Sequence, residues 1–571
     1  MATPSPTSLE SLLLKLEDGR YRFGPGAAAR ILKLLAALRR RRFSDVPSLL
    51  RFHETLMFLR AFPQSPAVMK ATDSMLSGFS QRVDALRQAG ADMDEFDPLE
   101  VSGIAGITMQ DTLSFDLTRW LVSHLPGKVE IAWKDYAEER AMAAVWPRLM
   151  PLQADDGWVE ADVPWRQWLE TAGGGPTKAL AWLVRQIEAW PGTDLDRARV
   201  YDSLRLPLRW KMENSRVSRT RNVQRVRSPF FHQEPLLARS EVSLATELAR
   251  RPPELHRLSP AEGAASMDLI REVMLVRYRE LYGTTLGDAR SVVRVDAGRG
   301  VSIYLWNLPP QRRLPLRAYV AGLTLKNGVP INYIEAIGLF EWVEVGFNTF
   351  YTFRGGEVAW IYAQVLRSLC HLMGSTCISM YPYQLGHGND EAIDSGAYWF
   401  YRKLGFGPGR EELQRLVERE EKKIAHDAKY RTPARTLRRL ASGHLFYELR
   451  SSKPGAWNQF STRNLGLKVN RRMARKFGGD AERMEAADGA SLAKMLGVSP
   501  SKLNEWERAA LEDFAVMLDS AGGVKHWSQA ECDQLLQLIR AKAAPDEMQY
   551  LHLMQQHGRL REEVRQLGTK P

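Results

Sequence analysis

Cysteine is scarce. Three residues, Cys370, Cys377 and Cys532, are too few for a disulfide scaffold in a chain of 571, and no C-x-x-C pair offers zinc spacing. Long apolar runs are missing too, since no stretch approaches the roughly 18–20 residues that a bilayer crossing needs. The start, Met1 to Asp18, lacks a basic leader and carries Glu10 and Glu17 around a short leucine run, so it does not read as a secretory signal. These absences predict a reducing, cytoplasmic setting without a membrane. Charge of one sign is only mildly in excess. The 79 Lys plus Arg against 67 Asp plus Glu leave +12, which permits an anionic partner without selecting one. The signatures of serine hydrolases, zinc proteases, P-loop nucleotidases and dinucleotide folds are absent as well.

What is present is a globular composition, 44% apolar and 26% charged, in a chain long enough for about three modules. Residues 1–240 read as a helical N-terminal region. Ser8–Leu16, Ala28–Leu38 and Val46–Phe58 repeat apolar residues at three- and four-residue spacing. A breaker at 173–176, Gly-Gly-Gly-Pro, divides this region among tryptophans 158, 165, 168, 182 and 190. From Arg205 to Arg239 the chain is basic and irregular, and an inter-domain linker or an exposed basic segment is expected there.

Strand chemistry begins in the middle third. Arg317–Leu325 and Val329–Ala336 flank Asn327-Gly328, a hairpin signal because both turn residues must tolerate positive φ. Trp342–Phe353 is β-branched or aromatic on both faces, as a central covered strand is. It runs into Arg354-Gly355-Gly356-Glu357, and Val358, Ile361, Val365, Leu369 and Leu372 then mark one helix face that Gly374 ends. Thr376–Met380 is a further strand, Pro382–Asp394 a loop, and Ser395–Leu404 a helix. A glycine turn that leads a buried strand into a helix N-terminus is suited to a pyrophosphate, because free N–H groups and the helix dipole converge there.

The segment Phe400-Tyr401-Arg402-Lys403-Leu404-Gly405-Phe406 resembles the F-Y-x-K-x-G-F signature of the GNAT acyltransferase superfamily. Asp394-Ser395-Gly396-Ala397 stands where that superfamily opens the same helix with N-x-x-A. The order also matches: hairpin, long central strand, pyrophosphate turn with helix, strand, then this helix. The resemblance implies an α/β (α+β) GNAT-like domain over 254–410 with a mixed twisted sheet. Mainly α-helical regions, 1–240 and 411–571, flank it. It further implies an acyl-CoA donor, acetyl-CoA first among candidates, and an amine acceptor, either a small molecule or a protein. Arg354, Gly355, Gly356, Val358 and Ala359 would hold the cofactor's pyrophosphate. Tyr401 would protonate the leaving thiolate. Glu344 would be the base; period-two alternation puts it and Glu341 on different faces, so at most one of the two faces the cleft. No metal is expected.

The turn departs from the family's [RQ]-x-x-G-x-[GA] by placing Glu357 at the middle glycine, where a carboxylate repels pyrophosphate unless it turns away. Asp394 replaces asparagine, and the loop with His387 is longer than in a compact member. The alternative reading is a non-catalytic interaction or nucleic-acid-binding protein that retains a degenerate GNAT-like fold. For it speak the arginines at 39–42 and 216–227. A helix-turn-helix-like segment from Ser491 to Trp506, which an ordinary αα corner explains better, adds little.

Overall fold

Helix signals at the start of the chain act as expected. Ser8, Asp45 and Ser65 cap the helices Leu9–Gly19, Val46–Ala61 and Pro66–Ser77, each side chain accepting a hydrogen bond from an N–H in the first turn. The computed structural model describes residues 8–151, 163–213, 216–449 and 454–569, so Trp158 lies outside the described residues. The chain forms two compact units. One comprises Met1–Pro235, Ala265–Leu286 and Lys326–Pro330, and the other Leu236–Ala264, Gly287–Leu325 and Ile331–Pro571.

In the first unit, Leu13, Leu16, Ile31, Leu35, Leu49, Phe52 and Leu56 form a buried helical core. Its helices are joined by a three-stranded sheet, with β1 (Thr108–Thr112), β2 (Val129–Ile131) and β3 (Pro207–Lys211) in the order β1-β3-β2. Strands of three to five residues carry too little alternation to stand out between helices. Gly174 and Gly175 take φ of 78° and 119° and Pro176 opens the next helix, so the predicted breaker breaks. The expected linker is a different matter. Arg219 is buried and pairs with Glu54 at 2.6 Å, and His232 is buried against Phe62 and Phe230. A carboxylate on the helix Val46–Ala61 pairs with Arg219, so part of this basic segment is buried, while Arg216, Arg225 and Arg227 stay exposed.

The second unit is built on a mixed sheet. Its strands are β4 (His256–Arg257), β5 (Val293–Gly298), β6 (Val301–Asn307), β7 (Ala318–Lys326), β8 (Val329–Leu339), β9 (Trp342–Thr349), β10 (Cys377–Met380), β11 (Gly407–Pro408) and β12 (Leu445–Glu448). They stand in the order β11-β12-β10-β9-β8-β7-β6-β5-β4, an open sheet of helix-flanked α+β type. Asn327 and Gly328, between β7 and β8, have φ of 48° and 81°, as the hairpin signal requires. β7 is buried at all nine positions, and β8 pairs antiparallel with β9 over eight.

The helix Val358–Met373 covers one face of this sheet, with Tyr362 against Phe347, and ends at Gly374 with φ 65°. On the other face Trp342 stacks on Trp457 and meets Phe460 edge-on. The C-terminal helices Ala481–Met495 and Glu505–Ala521 pack on each other, and Arg472 reaches from the helix Thr462–Phe477 to Asp488 and Asp519. Among the described residues no helix is long and apolar enough to cross a membrane.

Candidate functional site

β9 and β10 run parallel but pair only through Trp342↔Cys377, Val343↔Ile378 and Glu344↔Ser379. β10 stops at Met380 because Pro382 starts a helical turn, Pro382–Leu385. β9 continues for five residues beyond the last parallel pair, still held by β8 on its other edge. The two parallel strands therefore part after Glu344. Phe347, Asn348 and Thr349, from the parted half of β9, line a cleft of about 250 Å³. Arg354 and Val358 from the glycine turn, and Ala397, Phe400 and Tyr401 from the helix Ala397–Arg402, complete that wall. The stretch expected to be a loop, Pro382–Asp394, instead holds two short helices, Pro382–Leu385 and Asp390–Asp394, from which Gln384, Asn389 (the second helix's N-cap) and Glu391 line the cleft as well.

The turn ends in a helix without a side-chain cap, its first intrahelical bond running from Ile361 N–H to the Glu357 carbonyl at 2.9 Å. The N–H groups of Val358, Ala359 and Trp360 precede that ladder, and the helix dipole adds positive potential there. Gly356 donates to the Phe353 carbonyl, while Gly355 is exposed. Glu357 turns away from the turn. Its side chain is wholly buried, forms an ion pair with Arg299 and accepts from Leu237 N–H at 3.2 Å. The charge that threatened a pyrophosphate is thus held inside the fold. Arg354 lies over the Tyr351 ring at 4.7 Å and pairs with Glu391.

Tyr401 is buried in an aromatic cluster, its ring edge-on to Tyr362 at 5.6 Å and to Phe406 at 6.1 Å. Burial pushes its hydroxyl well above the usual phenol range, so it stays protonated at neutral pH. Glu344 is elsewhere. Three residues from Phe347, it projects to the opposite face of β9, where His444 Nε2 lies 2.9 Å from its carboxylate and the Tyr381 ring stands edge-on to that imidazole. Glu341 precedes β9 and is occupied by Arg561 and by Trp457 Nε1–H at 2.8 Å.

The structure thus brings Arg354, Val358 and Tyr401 onto one cleft. Gly355, Gly356 and Ala359 form the turn and helix start beside it, and Glu344 stands behind the strand. Sequence reasoning missed Asn348 and His444. A Gly-His step into the apolar run Leu445-Phe446-Tyr447 was the one signal for His444. Both Cys370 and Cys377 are thiols raised by burial, Cys370 to about 12, which makes them poor nucleophiles. Comparison of the chain with protein-family models, with curated proteins and with solved structures finds no match.

Proposed function

We propose that the second unit is a GNAT-like N-acyltransferase that moves an acyl group, acetyl in the simplest case, from coenzyme A to an amine in a reducing cytoplasm. The observation that carries this reading is the parting of parallel β9 and β10 beside the glycine turn and Tyr401. In the superfamily that the sequence resembles, the donor lies between two such strands, its pyrophosphate on the turn. The residues fit that occupant: N–H groups at an uncapped helix start, a guanidinium at Arg354, and β9 backbone released from pairing to receive an oxyanion. The amine attacks the thioester directly, Tyr401 gives its proton to the leaving sulfur, and Glu344 serves the amine's side.

Calorimetric titration with acetyl-CoA tests this. Micromolar binding that Gly356→Asp abolishes is the expected result, since a carboxylate on the turn opposes the pyrophosphate. A second reading is a non-catalytic interaction protein that keeps the fold. The Arg354–Glu391 pair favours it, because Glu391 places a carboxylate on the cleft and occupies the turn's own cation. Failure to bind any acyl-CoA would decide for that reading.

A further inference from the structure

Three strands and a loop converge where β9 and β10 part. Glu344 sits at the last parallel pair, opposite Ser379. Tyr381 is the first residue after β10. His444 is the residue before β12 and continues the register Met380↔Leu445, so it faces Tyr381, their rings 5.5 Å apart and edge-on. Its Nε2 reaches across the end of β10 to the Glu344 carboxylate at 2.9 Å. Both side chains are largely covered without being sealed, at 27% and 16% exposure.

We infer that His444 is the base that takes a proton from the acceptor, a primary amine, and that Glu344 is the positioning residue that holds its ring. This rests on the acyltransferase reading above. An ionised carboxylate only accepts, so Nε2 carries the hydrogen and the lone pair is left on Nδ1. No hydrogen bond among the described residues engages Nδ1. An imidazole is the side chain suited to exchange a proton near neutral pH, which a carboxylate is not. The Tyr381 and Phe446 rings lie against the imidazole, and Arg317 is within electrostatic reach of Glu344 and Tyr381.

Glu344 and Phe347 project from opposite faces of β9, and Tyr401 belongs to the Phe347–Tyr362 side. Base and acid therefore approach the parted strands from opposite sides, and the amine enters from the His444 side. Its ammonium form gives one proton to Nδ1, which passes it to solvent. The nitrogen bonds to the acyl carbon, the C–S bond breaks, and the sulfur takes the Tyr401 proton. The nitrogen's second proton restores the phenol. An amide, a thiol and one released proton balance the reaction.

The test uses the full chain, acetyl-CoA as donor, spermidine as the amine probe, and water as the acceptor should spermidine not be turned over. Calorimetry comes first: His444→Gln and Glu344→Gln bind acetyl-CoA as the wild type does. Absence of wild-type binding removes the acyltransferase reading and this inference with it. Thiol release is then followed from about pH 5.5 to about 9.5, and His444→Gln is expected to lower kcat on the order of 10²-fold and to lose the acid-limb inflection. Glu344→Gln is expected to lower kcat by less without changing the KM for acetyl-CoA, and Glu344→Asp to restore part of the rate, as a positioning role requires. A His444→Gln enzyme with normal rate and inflection overturns the inference while leaving donor binding intact. So does a wild type that binds acetyl-CoA yet releases no thiol.

Discussion

At the scale of single residues, Glu357 decides whether the turn is usable. Read in sequence it is an obstacle, because its partner Arg299 lies 58 residues away and nothing local announces the pairing. In the fold it is a strut, and removing it leaves a partly covered guanidinium without its counter-ion. Glu357→Ala is expected to destabilise the protein by roughly 2–3 kcal/mol, short of the 3–5 for a fully buried pair because Arg299 retains some solvent. Urea unfolding measures this, and a double-mutant cycle with Arg299→Ala should show strong coupling. Tyr401 has the opposite profile. It was legible, since Phe-Tyr-x-Lys-x-Gly-Phe is a local pattern, and its chemistry is separable from its packing. Tyr401→Phe keeps the ring against Tyr362 and Phe406, so the unfolding midpoint should hold while thiol release from acetyl-CoA falls on the order of 10²-fold. Equal rates for the two proteins would return Tyr401 to a purely structural part.

Elements were legible where one residue type settles a backbone conformation. Asn327-Gly328 fixes a hairpin and Gly374 a helix end, because positive φ is costly for other residues. β12 was not legible, since its four residues follow a charged helical stretch and only tertiary pairing with β10 makes them a strand. The parting of β9 from β10 is likewise invisible in sequence, because it follows from where β10 ends rather than from any residue in β9. Gly374 gives a sharp test of the helix that carries the turn. An added Cβ would meet Gln555 Oε1 at 2.7 Å, and that side chain donates to the Phe340 and Met373 carbonyls. Gly374→Ala should therefore cost about 2 kcal/mol, combining left-handed strain with displacement of Gln555, as read by chemical denaturation. The acyltransferase reading adds a prediction for β9. Acetyl-CoA should slow amide exchange in Val345–Thr349 and in Arg354–Ala359, and leave β5 and β6 unchanged. Protection spread evenly over the sheet would speak for general stiffening instead of a bound donor.

At the scale of the whole molecule, the chain after residue 410 belongs to the same compact unit as the strands that carry the cleft, and the Glu341–Arg561 pair ties the start of β9 to the C-terminal helix Gly558–Thr569. That tie has a pH signature. Burial by itself would raise the Glu341 carboxyl, but hydrogen bonds from Arg561 and Trp457 outweigh it and hold the group below the usual glutamate range. A carboxyl depressed in the folded state stabilises above its unfolded value, about 4.3, and that stability is lost as pH falls through the folded value. The first unit contains the reverse case. Glu272 is raised chiefly by burial, with Arg216 at 3.6 Å only partly offsetting it. Its contribution is present in acid and is lost as pH rises through the folded value. The +12 net charge adds a background of self-repulsion that grows as carboxylates protonate, so the wild type is expected to weaken on acidification. The discriminating comparison is between single variants in urea unfolding monitored between about pH 3 and about pH 6. Glu341→Gln should flatten the acid slope, because the carboxylate that must be protonated is gone. Glu272→Gln should steepen it, because the group that favours acid has been removed. Parallel shifts of both curves, with slopes unchanged, would mean that neither carboxylate is linked to folding and that the C-terminal helix is held by apolar packing around Trp457 alone.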